Sequence, residues 1–170
     1  MRTLPLACLT AGLAGIAAVP AHADLNNADR SFLEQAASGG LAEVQTAQLA
    51  QQRSSSPQVK QLASKIISDH TQANSELQQI AQEQNITLPE QPNTKDTSTY
   101  RRLVGLNGTA FDEAFAQAEV SDHQHDIALF RKQAQSAQDP ALKSFAQTTL
   151  PILVQHLQLA QSLKRIAVQA

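Results

Sequence analysis

The chain has 170 residues, a formal net charge of −2, one cysteine and one methionine. Its weak acidity, with no basic run longer than Arg101-Arg102 or Lys164-Arg165, argues against a protein that binds nucleic acid. Abundant Ala and Gln, sparse β-branched residues and no sustained period-two alternation predict an all-α protein.

Residues 1–23 are typical of an export signal. Arg2 supplies the positive start, residues 6–19 form an apolar run too short to span a bilayer comfortably, and Ala21-His22-Ala23 gives a small-x-small cleavage pattern. We expect cleavage after Ala23, one domain over residues 24–170 and export to the periplasm or cell envelope. The mature chain would then contain no sulfur and no transmembrane segment, which excludes disulfides, iron–sulfur clusters and thioether copper sites.

Two long helices are predicted in the first half of the domain. The first runs from about residue 29 to residue 53, with Asp29 as its N-cap. The second opens at Ser56-Pro57, a cap followed by proline at the first helical position, and ends near residue 85. Its apolar residues recur in steps of three and four, and His70 occupies one of these core-facing positions.

Residues 86–108 form a long connection that contains the Asn107-Gly108 turn and a short predicted helix over residues 98–106. A third long helix follows to about residue 137, and a fourth begins at Asp139-Pro140. The short loops predict a four-helix bundle of two antiparallel hairpins. The middle connection is long enough to cross over along the bundle, as in ferritin-like folds, and an up-down-up-down arrangement is the alternative.

Glu43, His70, His123 and His156 lie near the middles of the four long helices, at positions that face the core. Counted from the short loops, His123 and His156 differ in height by about 3 Å, and Glu43 and His70 by about 6 Å. A buried imidazole is costly unless its nitrogens have partners. We therefore expect these four residues to form one site at mid-height.

Three imidazoles and a carboxylate suit one borderline divalent cation: Zn²⁺ in four-coordinate geometry, or Fe²⁺, Ni²⁺ or Cu²⁺ with added water. Ring nitrogens that do not bind the metal need acceptors, and Asp69, Glu119 and Asp122 are candidates for that supporting role. No glutamate stands three residues before any of the three histidines, so the Glu-x-x-His pattern of di-iron bundles is absent.

The same residues also fit a buried structural network of hydrogen bonds, with Glu43 exposed at the edge of its helix. His125 is predicted to face solvent. Gly39-Gly40 and Pro151 interrupt the helical pattern near Glu43 and His156, and close helix packing is the preferred interpretation of the two glycines.

Several residues, in order along all four helices, are similar to a known family. They are Phe32, Ala36-Ala37-Ser38-Gly39-Gly40, Glu43-Val44, Asp69-His70, Phe111-Asp112, His123, Leu150-Pro151, Leu153 and His156. Over residues 29–163 the chain resembles the bacterial domain-of-unknown-function family 4142 (DUF4142). The resemblance implies a ferritin-like four-helix fold in an exported bacterial protein, and it implies no settled activity.

The leading hypothesis is an exported ferritin-like bundle that binds a divalent metal, either to sequester it or in a stress role. The alternative is a non-enzymatic envelope protein whose buried histidine and carboxylate network responds to acidity. A third reading is an interaction module that uses Gln-rich helix faces. No Gly-x-Ser-x-Gly elbow and no phosphate loop occurs, which argues against a hydrolase. Whether the protein is an enzyme stays open.

Overall fold

The computed structural model describes residues 25–169, with side chains described as far as residue 165. The predicted export signal, residues 1–23, lies outside the described residues. The described part of the chain contains five helices and no strand, which confirms the all-α prediction. They are α1 (Asn27–Arg53), α2 (Pro57–Glu83), α3 (Ser98–Val104), α4 (Gly108–Ser136) and α5 (Pro140–Gln169). Within this range, none of the helices combines the length and apolar character that crossing a membrane requires.

The start of α1 differs from the prediction. Asn26, and not Asp29, is the N-cap, because the Asn26 side chain accepts hydrogen bonds from two backbone N–H groups of the first turn. Asp29 is buried one turn further on, where it accepts hydrogen bonds from Gln133 Nε2 at 2.7 Å and from the N–H groups of Gln138 and Asp139. These partners are distant in sequence, so local capping rules identified the wrong residue.

The other two predicted caps are confirmed. Ser56 accepts a hydrogen bond from the N–H of Val59 at the start of α2. Asp139 accepts one from the N–H of Leu142 at 2.8 Å, directly before the proline that opens α5. Each cap satisfies a backbone donor that has no partner inside its own helix.

Contacts at the two ends of the bundle define its topology. At one end Asp29 of α1 and Gln84, just after α2, both contact Asp139 in the α4–α5 loop. At the opposite end Arg53 of α1 donates to Asn107, just before α4. The connection between α2 and α4 therefore runs the full length of the bundle, as in ferritin-like folds, and excludes the up-down-up-down alternative.

The apolar core is divided into two clusters along the bundle axis. One is centred on Phe32, Phe130 and Phe145, near the α4–α5 loop. The other contains Phe111 and Phe115, near the start of α4. The polar residues of the candidate site lie between them in sequence on all four long helices, so the site forms a polar layer at mid-height.

Close packing explains one of the two glycines in α1. A Cβ atom added at Gly40 would lie 2.3 Å from Asn74 Oδ1 of α2, whereas one added at Gly39 would meet no atom within 4 Å. The helix continues through both glycines. Two residues before Gly40, Ser38 donates to Asp96 and accepts from the N–H of Asn93, so α1 also anchors the crossover beside the site.

Candidate metal centre

Three imidazole rings meet at mid-height, one each from α2, α4 and α5. His123 and His156 are fully buried, and His70 is 7% exposed. The ring centroids are 5.1 Å apart for His123 and His156, 5.6 Å for His70 and His156, and 5.7 Å for His70 and His123. One ring nitrogen of each residue lies within 4.8 Å of the other two, as binding to a single metal ion requires.

A chain of three hydrogen-bonding contacts passes through two of these rings. His123 Nδ1 lies 3.0 Å from the backbone oxygen of Glu119, and His123 Nε2 lies 3.1 Å from His156 Nδ1. His156 Nε2 then lies 2.8 Å from Asp69 Oδ2, which also accepts from Lys65 at 3.0 Å. Asp69 thus joins His156 of α5 to Lys65, which lies four residues before it on α2 and completes the chain.

The two ends of this chain determine where the protons lie. A backbone carbonyl and an ionised carboxylate only accept hydrogen bonds, so each outer contact uses an N–H of its histidine. Partial burial opposes ionisation of Asp69, but the hydrogen bonds from Lys65 and His156 outweigh it and lower the pKa of Asp69. A neutral imidazole carries one proton, so in the neutral pair both inner nitrogens present lone pairs to each other.

Two lone pairs 3.1 Å apart repel unless a proton or a metal cation lies between them. An additional proton is disfavoured, because burial and the neighbouring His156 lower the pKa of His123 to about 3. Burial also lowers the pKa of His156, against the raising effect of Asp69. The inner contact is therefore a pair of nitrogen donors suited to a cation.

His70 completes the nitrogen set. Its Nε2 is buried and has no hydrogen-bond partner among the described residues. Burial, followed by the nearby His123 and His156, lowers the pKa of His70 well below its ordinary value. A neutral imidazole with an unused nitrogen in the core is costly for folding, but it is a ready metal ligand.

The carboxylates are arranged differently from the simple four-residue site. Glu43 is buried, so the expectation that it is exposed is wrong. It lies beside the fully buried Glu119, and one carboxylate oxygen of each is within 4.8 Å of the other and of a ring nitrogen of His123. The structure thus brings together two overlapping groups that share His123, one with His70 and His156 and one with the two glutamates.

The remaining predicted residues lie further out. Asp122 accepts a hydrogen bond from Thr99 of α3 at 3.2 Å and contacts none of the three histidines through a hydrogen bond. His125 is exposed, as predicted. Asp126 is only partly exposed. The burial of its carboxyl group, with the charges of Asp122 and Asp96, raises the pKa of Asp126 to about 7.

Two cavities flank the polar layer. One, of about 150 Å³, lies between α2 and α5 and is lined by Asp69, His70 and His156 among others. The other, of about 280 Å³, lies between α1, the crossover and α4, and is lined by Glu43, Asp122 and other polar residues. The histidine group and the glutamate group therefore each border a different cavity.

A sequence model described as "Domain of unknown function (DUF4142)" matches residues 14–163. The chain belongs to this family. No curated protein sequence matches it. The resemblance inferred from the motifs on the four helices is confirmed for the family.

The DUF4142 chain is also similar to solved structures. The crystal structure of a DUF305 fragment from Deinococcus radiodurans has a TM-score of 0.73 at 11% identity, covering 87% of this chain and all of that one. CopM in its Ag-bound form has a TM-score of 0.67 at 17% identity, and CopM in its Cu(II)-bound form 0.67 at 16%. Each covers 81% of this chain and 95% of the CopM chain. At such low identity these similarities show the fold alone.

Sequence reasoning on the DUF4142 chain missed two contacts in this site. The direct contact between His123 and His156 depends on the rotation of α4 against α5, which helix heights do not determine. The pairing of Glu43 with Glu119 was missed because Glu119 was assigned only to a supporting role. Its position four residues before His123, on the same helix face, was the available signal.

Proposed function

We propose that this DUF4142 protein binds a divalent metal ion in the centre of its bundle through His70, His123 and His156. The observation that carries the proposal is the contact between His123 Nε2 and His156 Nδ1, two ring nitrogens 3.1 Å apart whose outer neighbours both accept hydrogen bonds. The unpartnered Nε2 of His70 supplies the third nitrogen. A cation converts this repulsive arrangement of buried groups into three coordinate bonds.

The distances suit a small metal ion. Zinc binds imidazole at about 2.0–2.1 Å, so two nitrogens of a tetrahedral site lie about 3.3 Å apart. The observed separation of 3.1 Å needs to widen by only about 0.2 Å. The outer hydrogen bonds of His123 and His156 hold both rings in the orientation that points their free nitrogens inwards. Zn²⁺, Cu²⁺, Ni²⁺ and Fe²⁺ all accept imidazole.

Copper is the first ion to test, because two structures with a similar fold are CopM in its Cu(II)-bound and Ag-bound forms. A buried set of nitrogen ligands suits a protein that sequesters the metal. A role in a stress response belongs to the same proposal. The N-terminal pattern over residues 1–23 supports export, so we place this function in the periplasm or cell envelope.

The test compares His70→Ala with His125→Ala, a matched control on an exposed histidine. Untagged proteins are stripped with a chelator, titrated with Cu²⁺, and followed by elemental analysis, electron paramagnetic resonance (EPR) and thermal melting. At a hundred times Kd, binding adds about 2.7 kcal/mol to stability. For a domain of this size, that raises Tm by about 5–10 °C.

Wild type and His125→Ala are expected to show this increase in Tm and nitrogen coordination of Cu²⁺, and His70→Ala to lose most of both. Melting in chelator shows whether His70→Ala folds. Negligible metal uptake by wild type, or equal uptake and equal nitrogen coordination in all three proteins, contradicts the proposal. If the His70→Ala variant does not fold, the conservative variant His70→Gln provides the same comparison.

The second candidate is a metal-free network that responds to acidity. The observation in its favour is the burial of three adjoining imidazoles, which lowers the pKa of each and makes the folded state resist protonation. Below their ordinary pKa the unfolded chain binds protons that the folded chain does not, and stability falls. Wild type that takes up no metal, yet loses stability in acid through these histidines, favours this second function.

A further inference from the structure

We infer that Glu43 and Glu119 form a second cation site, rich in oxygen ligands, beside the three-histidine site. It is placed at the inner end of the cavity between α1, the crossover and α4. The ligand class is a hard divalent cation such as Mn²⁺ or Mg²⁺. This site goes beyond the proposed single ion, and it uses ligands that the histidine site does not need.

The first observation is that these two carboxyl groups have no side-chain hydrogen-bonding partner among the described residues except each other. Glu43 is 6% exposed and Glu119 is fully buried. Glu43 Oε2 and both carboxyl oxygens of Glu119 are buried without a hydrogen bond in the described part of the chain. Native proteins rarely leave such atoms unsatisfied, because a buried acceptor without a donor loses its hydration and gains no hydrogen bond in return.

The second observation concerns the spacing of these oxygens. One oxygen of Glu43, one of Glu119 and a ring nitrogen of His123 all lie within 4.8 Å of one another. Glu119 Oε2 is 3.4 Å from His123 Nδ1, but that N–H is directed to the Glu119 carbonyl at 3.0 Å. Among the described residues, no lysine or arginine forms a salt bridge with either glutamate. A cation is the partner that this geometry lacks.

The third observation is the cavity that leads to Glu43. It has a volume of about 280 Å³, and three further carboxylates line it: Asp96, Asp122 and Asp126. Hydroxyl groups of Thr46, Ser98, Thr99 and Ser121 line it as well. Oxygen ligands of this kind are those that hard cations prefer, and the cavity has room for the waters that Mg²⁺ and Mn²⁺ retain.

Basic groups are present at this cavity but do not neutralise the glutamates. Lys95 and His125 line it, and burial raises the pKa of Asp122 despite the hydrogen bond from Thr99 and the nearby charges of Arg102 and His125. Burial raises the pKa values of Glu43 and Glu119; their mutual contact raises that of Glu43 and lowers that of Glu119, and Asp122 and Asp126 raise both. No lysine or arginine among the described residues pairs with either glutamate, which leaves this position to a cation.

The test uses Mn²⁺ alone as the probe, measured by EPR titration of the full chain after stripping with a chelator. Wild type is expected to bind Mn²⁺, and the double variant Glu43→Gln/Glu119→Gln to bind it at least tenfold more weakly. The matched control is Glu34→Gln/Glu113→Gln, which changes two exposed glutamates on the same two helices and keeps wild-type affinity. Glutamine keeps the size of each side chain and removes the buried charge, so the double variant should fold.

The single variants Glu43→Gln and Glu119→Gln provide the same comparison if the double variant does not fold. Equal Mn²⁺ affinity in wild type and in a folded Glu43 or Glu119 variant overturns the second site, as does the absence of Mn²⁺ binding by wild type. His70→Ala separates the two proposals, because it is expected to lose nitrogen-coordinated Cu²⁺ and keep Mn²⁺ binding. Retained Cu²⁺ coordination without Mn²⁺ binding overturns the second site alone.

Discussion

The metal-free protein is expected to be most stable in mildly acidic solution and to lose stability in both directions. Burial lowers the pKa values of the three histidines, so below 6.5 the unfolded chain binds more protons and stability falls as pH falls. Burial raises the pKa values of Glu43 and Glu119, so above 4.5 the folded chain binds more protons and stability falls as pH rises.

The magnitude follows from the number of groups. Each contributes about 1.4 kcal/mol per pH unit in its window. Between pH 4.5 and 6.5 the two effects largely cancel. The histidines make the protein more stable as pH rises, and the buried carboxyl groups, including Asp126, make it less stable. Between pH 6.5 and about 8, where Glu119 ionises in the folded chain, Glu43 and Glu119 together reduce stability by about 3 kcal/mol per pH unit, which lowers Tm by roughly 10 °C. Between pH values of about 3 and 4.5, His70 and His123 reduce it by about 3 kcal/mol per unit.

The assay is thermal melting followed by far-UV circular dichroism, in chelator and at constant ionic strength. Glu119→Gln is the informative variant, because it removes one carboxyl that must stay protonated and leaves the histidines unchanged. In this variant, Tm is expected to fall about half as steeply as in wild type when pH rises above 6.5. Below pH 4.5, Tm is expected to fall as it does in wild type. A wild-type Tm that stays constant from pH 6.5 upward, or an equal alkaline decrease in the variant, refutes this reasoning.

Three further predictions concern stability, each measured by denaturant or thermal unfolding. Asp29→Ala leaves three donors, at the end of α4 and in the α4–α5 loop, without their acceptor. It should lower the free energy of unfolding by about 3 kcal/mol and leave metal uptake unchanged, and a decrease below about 1 kcal/mol contradicts this role. Gly40→Ala should change the free energy of unfolding by less than about 1 kcal/mol, because displacing the Asn74 side chain offsets the roughly 1 kcal/mol that alanine gains over glycine in a helix; adding Asn74→Ala should recover that gain, and no recovery contradicts the contact. Pro151→Ala, at an exposed position inside α5, should raise Tm by restoring the bond to the Gln147 carbonyl; a lower Tm counts against this.

The helices were predictable because their signals are local. Ser56-Pro57 and Asp139-Pro140 place a capping oxygen and a fixed φ angle at the starts of α2 and α5, and both helices begin there. The predicted N-cap of α1 was wrong by three residues, since the side chains of Asn26 and Asp29 can both cap a helix. The path of the connection between α2 and α4 remained open, because it depends on long-range contacts such as Arg53 with Asn107.

The height of the site along the bundle axis was predictable from the sequence, but the contacts within the site were not. Residue counts along rigid helices place His70, His123 and His156 at one height, and the structure brings their rings together. Which nitrogen meets which depends on helix rotation and side-chain rotamers, and neither follows from residue spacing. For the same reason, spacing alone did not show that Glu43 groups with Glu119 and His123 and not with His70 and His156.

The most direct test of the three-histidine site is anomalous diffraction at the copper edge, from crystals of the full domain grown with Cu²⁺. The account predicts a strong peak between the ring nitrogens of His70, His123 and His156, at about 2 Å from each. Copper found only at exposed groups such as His125, with no peak among the three buried rings, contradicts it.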